Sequence, residues 1–403
     1  MGKNSSIDHE RLEMVASILT APTPCVPIYD PYDLWVTAWG VYIKKKYYQS
    51  RLIGGGAAVA MGGLDWLVPN FSRSLFQCEP RCYPIVSAQE IMRMSQRNLI
   101  TCRNAPVLLH HLKSLAVDPS GVSGWAWGLG FPWMSKNGFY APSIPFITHT
   151  PYVMEALLVL STNEETKIEA LEIFRSTWDF LEKLIVRHKG NQGLALSYAP
   201  IDEPRTVVNA NAYAAYAYAL HACYGDFTLR EQAKVKASRL TQWIISQQQK
   251  NGSWLYYADA KKGNFIDCFH SCFVLKNLLK TSKLLSDRTE SVHAGIKNGW
   301  RYLHRNFYDK STGLCRRFTK QDIYSPFLWD LYDQAEYLGL LVDLKKYDEA
   351  SFFYKRVHKK FRKDDKLYCK IDRLGRLWGK GFFRWGITSF LYNIERLKQI
   401  ELI

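Results

Sequence analysis

The residues of this chain that could do chemistry gather where apolar, helix-periodic segments begin. In the stretch Gly263-Asn264-Phe265-Ile266-Asp267-Cys268-Phe269-His270, Asp267 and His270 stand three residues apart, which places both on one face of a first helical turn. An Asp at that position can be a plain N-cap that accepts backbone N–H bonds. It can equally orient the imidazole, so that the two work as a general acid/base pair. His149 begins another such segment and reads either as a core histidine or as a catalytic base. Asn209 and Asn211, Asp330 with Asp333, and Arg384 with Trp385 occupy similar starts. Each alone is a weak signal, but together they put polar side chains at one end of successive helices. His149, His270 and Asp267 are therefore the catalytic candidates, with Asn209, Asn211, Asp330, Arg384 and Trp385 as substrate-binding candidates.

Two more binding candidates, Trp127 and Trp133, belong to a loop that runs from Gly124 through Phe139-Tyr140 to Tyr152 and is too aromatic for a mere connection. Exposed rings stack on the apolar faces of sugars, whereas packing into a barrel top is the plainer alternative. Asp267, Cys268, His270 and Cys272 are metal-ligand types, but Cys268 points away from Asp267 on a helix and no further His or Cys follows in register. No metal is expected. The sequence holds no P-loop, GxGxxG, nucleophile elbow or HExxH, so no cofactor is expected either.

The elements that must position these residues are helices. From about residue 150, apolar residues recur at helical spacing over 152–161, 166–188, 209–223, 229–249, 269–284, 291–307, 331–344 and 347–361, with a closing helix over 385–398. They pair, and the loops between pairs recur every 55 to 60 residues or so. After Trp178, Trp243 and Trp300 a Gly turn leads into a short extended piece, at Gly193, Gly252 and Gly313. A hairpin cannot cover its own apolar face, so such units pack side by side, and a small rotation per unit closes them into a ring. The fold class expected is all-α, an (α/α) toroid of about six helix hairpins. Residues 1–403 read as one domain, with 1–150 forming irregular first hairpins and the aromatic loop.

The chain of 403 residues carries 53 Lys and Arg against 37 Asp and Glu, a formal charge of +16. That favours an anionic partner. The run 345–373 reads as an amphipathic, solvated helix, and no nucleic-acid motif accompanies the charge. Nine scattered cysteines lack the spacing of a disulfide framework and suit a reducing compartment. The polar start, 1–13, has no apolar signal-peptide core, and the most apolar early segment, 52–64, is short and Gly-rich. A cytoplasmic protein, with possible attachment to the inner membrane face, is the expectation.

Two resemblances sharpen this. The stretch 242–254, with Gln248, Gly252 and Trp254, is similar to the QW repeat of terpenoid cyclases, which ties adjacent hairpins together; the DxDD and DDxxD clusters of those enzymes are missing. Over most of the chain, the sequence resembles bacterial toroid proteins encoded with exopolysaccharide, capsule or O-antigen genes and called polysaccharide biosynthesis proteins. The matching stretches are Tyr29-Asp30-Pro31-Tyr32-Asp33, 127–133, 148–157, 208–212, 252–254 with 265–270, and Phe383-Arg384-Trp385-Gly386. Where that family tends to show Asp-x-His near the fourth inner helix, this chain has Asp330-Leu331-Tyr332. The resemblance implies a role in surface-polysaccharide assembly, on an acidic glycan or lipid-linked oligosaccharide. The chemistry expected of an enzyme here is epimerase, lyase or hydrolase. A non-catalytic glycan-binding factor and an isoprenoid-handling toroid are the alternatives. In the enzyme reading, Asp267 orients His270, Arg384 holds a carboxylate or phosphate, and Trp127 and Trp133 stack on sugars.

Overall fold

A computed structural model describes residues 24–118, 120–121, 124–286, 289–319 and 325–400; the polar stretch 1–13 lies outside them. The helices of the ring are α4 (Pro84–Gln96), α5 (Ala105–Ser114), α6 (Thr150–Leu160), α7 (Lys167–Lys183), α8 (Val208–Tyr224), α9 (Arg230–Ser246), α10 (Cys268–Leu285), α11 (Glu290–Phe307), α12 (Leu331–Asp343), α13 (Tyr347–Phe361) and α14 (Thr388–Lys398). Proline at the first or second position starts α4, α5 and α6, where its missing N–H costs nothing. Asp267 and Asp330 cap α10 and α12 by accepting backbone N–H bonds from His270 and Tyr332.

Helices α4, α6, α8, α10, α12 and α14 pack in that order, and α14 packs back on α4, so the inner ring closes. Gln89 of α4 donates to Ser389 of α14 at 3.0 Å across the seam. Helices α5, α7, α9, α11 and α13 lie outside their inner partners, amphipathic in the manner of surface helices. The fold is the expected (α/α) toroid, with six inner and five outer helices among the described residues. Helix α8 is buried from Val208 to His221, and its alanines let neighbouring backbones approach.

After α7, α9, α11 and α13 the chain returns to the next inner helix by a tight turn and an extended piece, whereas α5 returns through the long aromatic loop. Strands β3 (Val186–Gly190) and β4 (Gly193–Leu196) follow α7, β5 (Tyr308–Asp309) and β6 (Leu314–Cys315) follow α11, and β8 (Arg362–Lys363) and β9 (Lys366–Asp372) follow α13. Gly193 has φ 114°, and a Cβ there would lie 2.3 Å from the Arg239 carbonyl oxygen, so no other residue fits the turn. Inner-helix amides then fasten the extended pieces. Asn211 pairs with both backbone groups of Leu196, and Gln334 does the same for Cys315. After α9 the device is the QW-like one. Gln248 donates to the carbonyls of Gly252 and Gly295 at 2.9 and 2.8 Å, and Trp254 Nε1 donates to Ile244 O at 2.8 Å.

Four expectations change. The segment 166–188 is helical only to Lys183, because Val186 and Arg187 enter the β3–β4 ladder. The run 345–373 is helix only to Phe361, then strands. The last helix starts at Thr388, since Arg384 and Trp385 have non-helical dihedrals. The first 150 residues supply one ring hairpin and an appended arm, α1 (Ala38–Gln49), α2 (Arg51–Leu67) and α3 (Pro69–Leu75). The arm lies near a small antiparallel sheet of β7 (Phe327–Asp330), β9 and β10 (Leu377–Lys380), to which Trp66 Nε1 reaches at 3.0 Å from Asp372 Oδ2. The remaining strands, β1 (Trp133–Ser135) and β2 (Gly138–Tyr140), form a hairpin in the aromatic loop.

Trp254 rests on Gly299 of α11, where a Cβ would meet the ring at 2.4 Å and Leu275 at 2.9 Å. Gly299→Ala should therefore lower unfolding stability by about 1–3 kcal/mol through overpacking, read from the midpoint of a urea transition.

Candidate functional site

One end of the inner ring holds a cavity of about 250 Å³. Its wall includes Tyr32, Phe131, Trp133, Tyr140, Phe146, His149, Tyr198, Asn209, Tyr213, Tyr256, Phe269, His270, Phe273, Tyr332, Arg384 and Trp385. The inner helices place these residues by register. The second residue of α8, α10 and α12, which is Asn209, Phe269 and Tyr332, faces the cavity, while the fourth residue of α8 and of α12 ties back to a strand.

His270 is held from behind. Its Nδ1 lies 2.9 and 2.8 Å from the two oxygens of Asp267, whose carboxylate is buried. The same carboxylate accepts the His270 backbone N–H at 3.2 Å, so one side chain both caps α10 and fixes the imidazole. Nδ1 is thereby the protonated nitrogen, and Nε2 carries the lone pair. Tyr256 packs against the ring at 4.5 Å between centroids, which restrains it further.

His149 is controlled differently. Thr148 Oγ1 donates to Tyr198 OH at 3.0 Å and lies 3.2 Å from His149 Nδ1. With the hydroxyl proton directed at Tyr198, Nδ1–H is the donor to Thr148, and Nε2 presents a lone pair. That Nε2 is buried with no hydrogen-bond partner among the described residues. Burial and the nearby Arg384 guanidinium push the His149 pKa from 6.5 down to about 3, so the imidazole is neutral at physiological pH.

Arg384 is buried and ion-paired to Asp30 through Nε, and its guanidinium carbon lies 4.8, 4.5 and 4.3 Å from the ring centroids of Tyr83, Phe131 and Trp385. Asp30 is in turn set by Asp33, whose Oδ2 accepts its backbone N–H at 2.6 Å, and Asp33 is held by Tyr83 OH and Arg73. The early Tyr-Asp-Pro-Tyr-Asp stretch thus serves mainly to seat a cavity arginine. Trp385 sits at φ 70°, a strained value for an aromatic residue. Arg384 Nη1, Trp385 Nε1, Asn209 Oδ1 and Tyr332 OH join His149 Nε2 as buried polar atoms with no hydrogen-bond partner among the described residues. Burying such groups unpaired costs about 1–3 kcal/mol each. With Asn137 Oδ1, six such atoms lie on residues that line this one cavity.

Of the residues expected from sequence, His149, His270, Asn209, Arg384, Trp133 and Trp385 line this cavity, and Asp267 stands directly behind His270. Trp133 offers a partly blocked face, because Lys44 Nζ lies 3.3 Å from its ring centroid. Three expectations are corrected. Trp127 is fully buried with Nε1 donating to Leu112 O at 2.8 Å, so it packs the barrel top and has no free face. Asn211 spends its amide on Leu196 and Val207 backbone groups. Asp330 caps α12 and pairs with Arg317 at 3.0 Å. Tyr198 and Tyr256 were missed as wall residues, the extended piece before an inner helix being their one signal, while Tyr140 joins the wall from the aromatic loop already singled out. Among the described residues, no group of three or more His, Cys, Asp or Glu side chains is arranged to hold a metal ion.

No family profile and no curated protein sequence matches the chain. Solved structures do share its fold. A cellobiose 2-epimerase from Spirochaeta thermophila aligns at 16% identity with a TM-score of 0.56, covering 79% of this chain and 86% of that one. A D-mannose isomerase aligns at 12% identity and TM-score 0.58, over 80% and 87%. The family 76 glycoside hydrolase BT2949, an α-mannanase of Bacteroides thetaiotaomicron, gives 12%, 0.54, 79% and 86%. At these identities the likeness establishes the α/α-toroid architecture.

The depressed pKa of His149 makes a signed prediction. The unfolded chain takes up the proton near pH 6.5 and the folded one only near 3, so this stability contribution is full above pH 6.5 and is lost as pH falls towards 3. Between pH 7 and pH 4 the wild-type protein should lose about 3 kcal/mol more stability than His149→Gln, measured by urea denaturation at each pH.

Proposed function

We propose that the protein is a sugar epimerase or isomerase that works by imidazole acid/base chemistry at the end of the toroid. The observation that carries the proposal is the composition of the cavity wall: two histidines, one of them backed by the Asp267 carboxylate, an arginine, and no carboxylate on the wall itself. Glycoside hydrolysis needs two carboxyl groups flanking the bond, which makes the hydrolase reading of this pocket the weaker one. The fold relatives include a cellobiose 2-epimerase and a D-mannose isomerase as well as an α-mannanase, which supports carbohydrate-modifying chemistry, and the wall decides between the two classes.

In this reading an open-chain reducing sugar binds with its carbonyl oxygen towards Arg384. His270, oriented by Asp267, takes the proton from the carbon next to the carbonyl. The C–H electron pair moves into the carbonyl, giving an enediolate whose negative oxygen Arg384 stabilises. His149 and Tyr332 bind the neighbouring hydroxyls. After the enediolate turns over in the cavity, the His270 imidazolium returns its proton to the other face of the same carbon, which gives the epimer; return to the former carbonyl carbon, with the neighbouring hydroxyl proton passing to the former carbonyl oxygen, gives the isomer. A cavity of about 250 Å³ suits the end sugar of a chain.

The biological setting we infer is surface-polysaccharide assembly, with an acidic glycan or a lipid-linked oligosaccharide as the partner. The resemblance of the Tyr-Asp-Pro-Tyr-Asp, Asp267–His270 and Phe383–Gly386 stretches supports that setting, as does the net charge of +16. Nine free thiols agree with a reducing, cytoplasmic compartment. No helix among the described residues is long and apolar enough to cross a membrane.

Incubation with mannose, cellobiose and acidic reducing sugars in deuterated water, followed by NMR, tests the chemistry. Deuterium should appear at the carbon next to the carbonyl, together with a new epimer or ketose. His270→Ala should abolish exchange, and Asp267→Asn should lower kcat about 10²- to 10⁴-fold. Binding without exchange by any sugar would overturn the enzyme reading and leave a glycan-binding protein.

A further inference from the structure

The arm of helices α1 to α3 contributes no residue to the cavity wall, yet it concentrates exposed apolar side chains. Ten of the 23 large apolar side chains exposed among the described residues lie within residues 38–75. Helix α2 has no charged residue from 52 to 64, and its outer stripe runs Leu52, Gly56, Val59, Gly63, Leu67 at helical spacing. Leu52 is 94% exposed and Val59 76%. Soluble surfaces rarely tolerate such a patch without an occupant.

We propose that this arm docks on an anionic bilayer surface and lies in its interface. Three observations select a bilayer. The apolar stripe is flanked by exposed Lys45 and Arg51, while the arm's one acidic side chain, Asp65, is buried and bonded to Ser72 at 2.8 Å. The arm thus exposes positive charge and no negative charge beside its apolar stripe, matching anionic headgroups above acyl chains. Trp39 and Tyr42 are exposed on α1, and amphipathic rings favour the headgroup level. Helix α2 has 17 residues, about 25 Å of helix, so it is shorter than the roughly 30 Å hydrocarbon core and lies on the membrane without crossing it.

The arm also adjoins the site. Helix α1 packs on β1, where Lys44 covers Trp133 of the cavity wall, and Tyr32 lines both the cavity and a groove beside α2. A surface-bound enzyme would meet a sugar carried on a membrane lipid at the cavity mouth. That last link rests on the proposed sugar chemistry; the docking itself does not.

Co-flotation of the full chain with phosphatidylcholine vesicles, with and without phosphatidylglycerol, tests the docking. Binding is expected only with the anionic lipid. Leu52→Glu/Val59→Glu and Lys45→Glu/Arg51→Glu should each reduce it about tenfold or more, with unchanged circular dichroism and unchanged exchange on free sugars. Absence of binding, or equal binding by wild type and variants, would overturn the proposal. So would sedimentation showing a dimer that the Leu52→Glu/Val59→Glu variant dissolves, since the patch would then be covered by a second copy. Vesicle binding in a protein inactive on sugars would sink the proposed chemistry and leave the docking intact.

Discussion

A charge buried in this ring must be paired, and the pairing of Arg384 with Asp30 is what the cavity depends on. The two residues are 354 positions apart, and both are almost wholly removed from solvent. Removing one partner of such a pair costs about 3–5 kcal/mol, because the other charge stays buried. The bond fastens the early Asp30–Asp33 turn to the last loop of the chain, beside the seam where α14 meets α4. It therefore couples closure of the ring to placement of the guanidinium. Tyr83 and Phe131 pack against that guanidinium, and Trp385 is carried into its strained conformation at the neighbouring position. The strain is tolerated because the ion pair on one side and α14 on the other over-determine the backbone.

The same economy separates the two histidines. Both line one cavity, but His270 has a carboxylate behind it and His149 has only a hydroxyl. A carboxylate supports the imidazolium that forms when a proton is taken, so His270 is suited to a carbon acid. His149, desolvated and beside Arg384, stays neutral and is suited to accept a hydrogen bond from a hydroxyl. Two identical side chains thus acquire different roles from their surroundings.

Much of this was legible in the sequence where the signal was periodic and local. The helix repeat, the Gly turns and the Asp267–His270 spacing follow from one or two turns of chain. Asn209 and Asn211 illustrate the limit: two residues apart on a helix they point in nearly opposite directions, so both could not face the axis, and the structure turns only Asn209 inward. Trp127 was ambiguous because an indole suits a barrel top as well as a sugar face. The Asp30–Arg384 bond could not be read, since nothing local links residues 354 apart. The arm of α1 to α3 could not be told from a ring hairpin: residues 52–64 show only a short, Gly-rich apolar segment within the first 150 residues, and the fold places them outside the ring.

The claim at the centre of this account is that His149 and His270 meet one ligand in one cavity, with His149 held neutral and the Nδ1–H of His270 held by Asp267. Nitrogen-15 NMR of histidine-labelled protein, recorded against pH and against added reducing sugar, tests it directly. The account predicts that His149 stays neutral down to about pH 3, that His270 is protonated on Nδ1 in its neutral form, and that both Nε2 resonances shift on adding sugar. A His149 that titrates near 6.5, or Nε2 signals indifferent to every sugar, would contradict it.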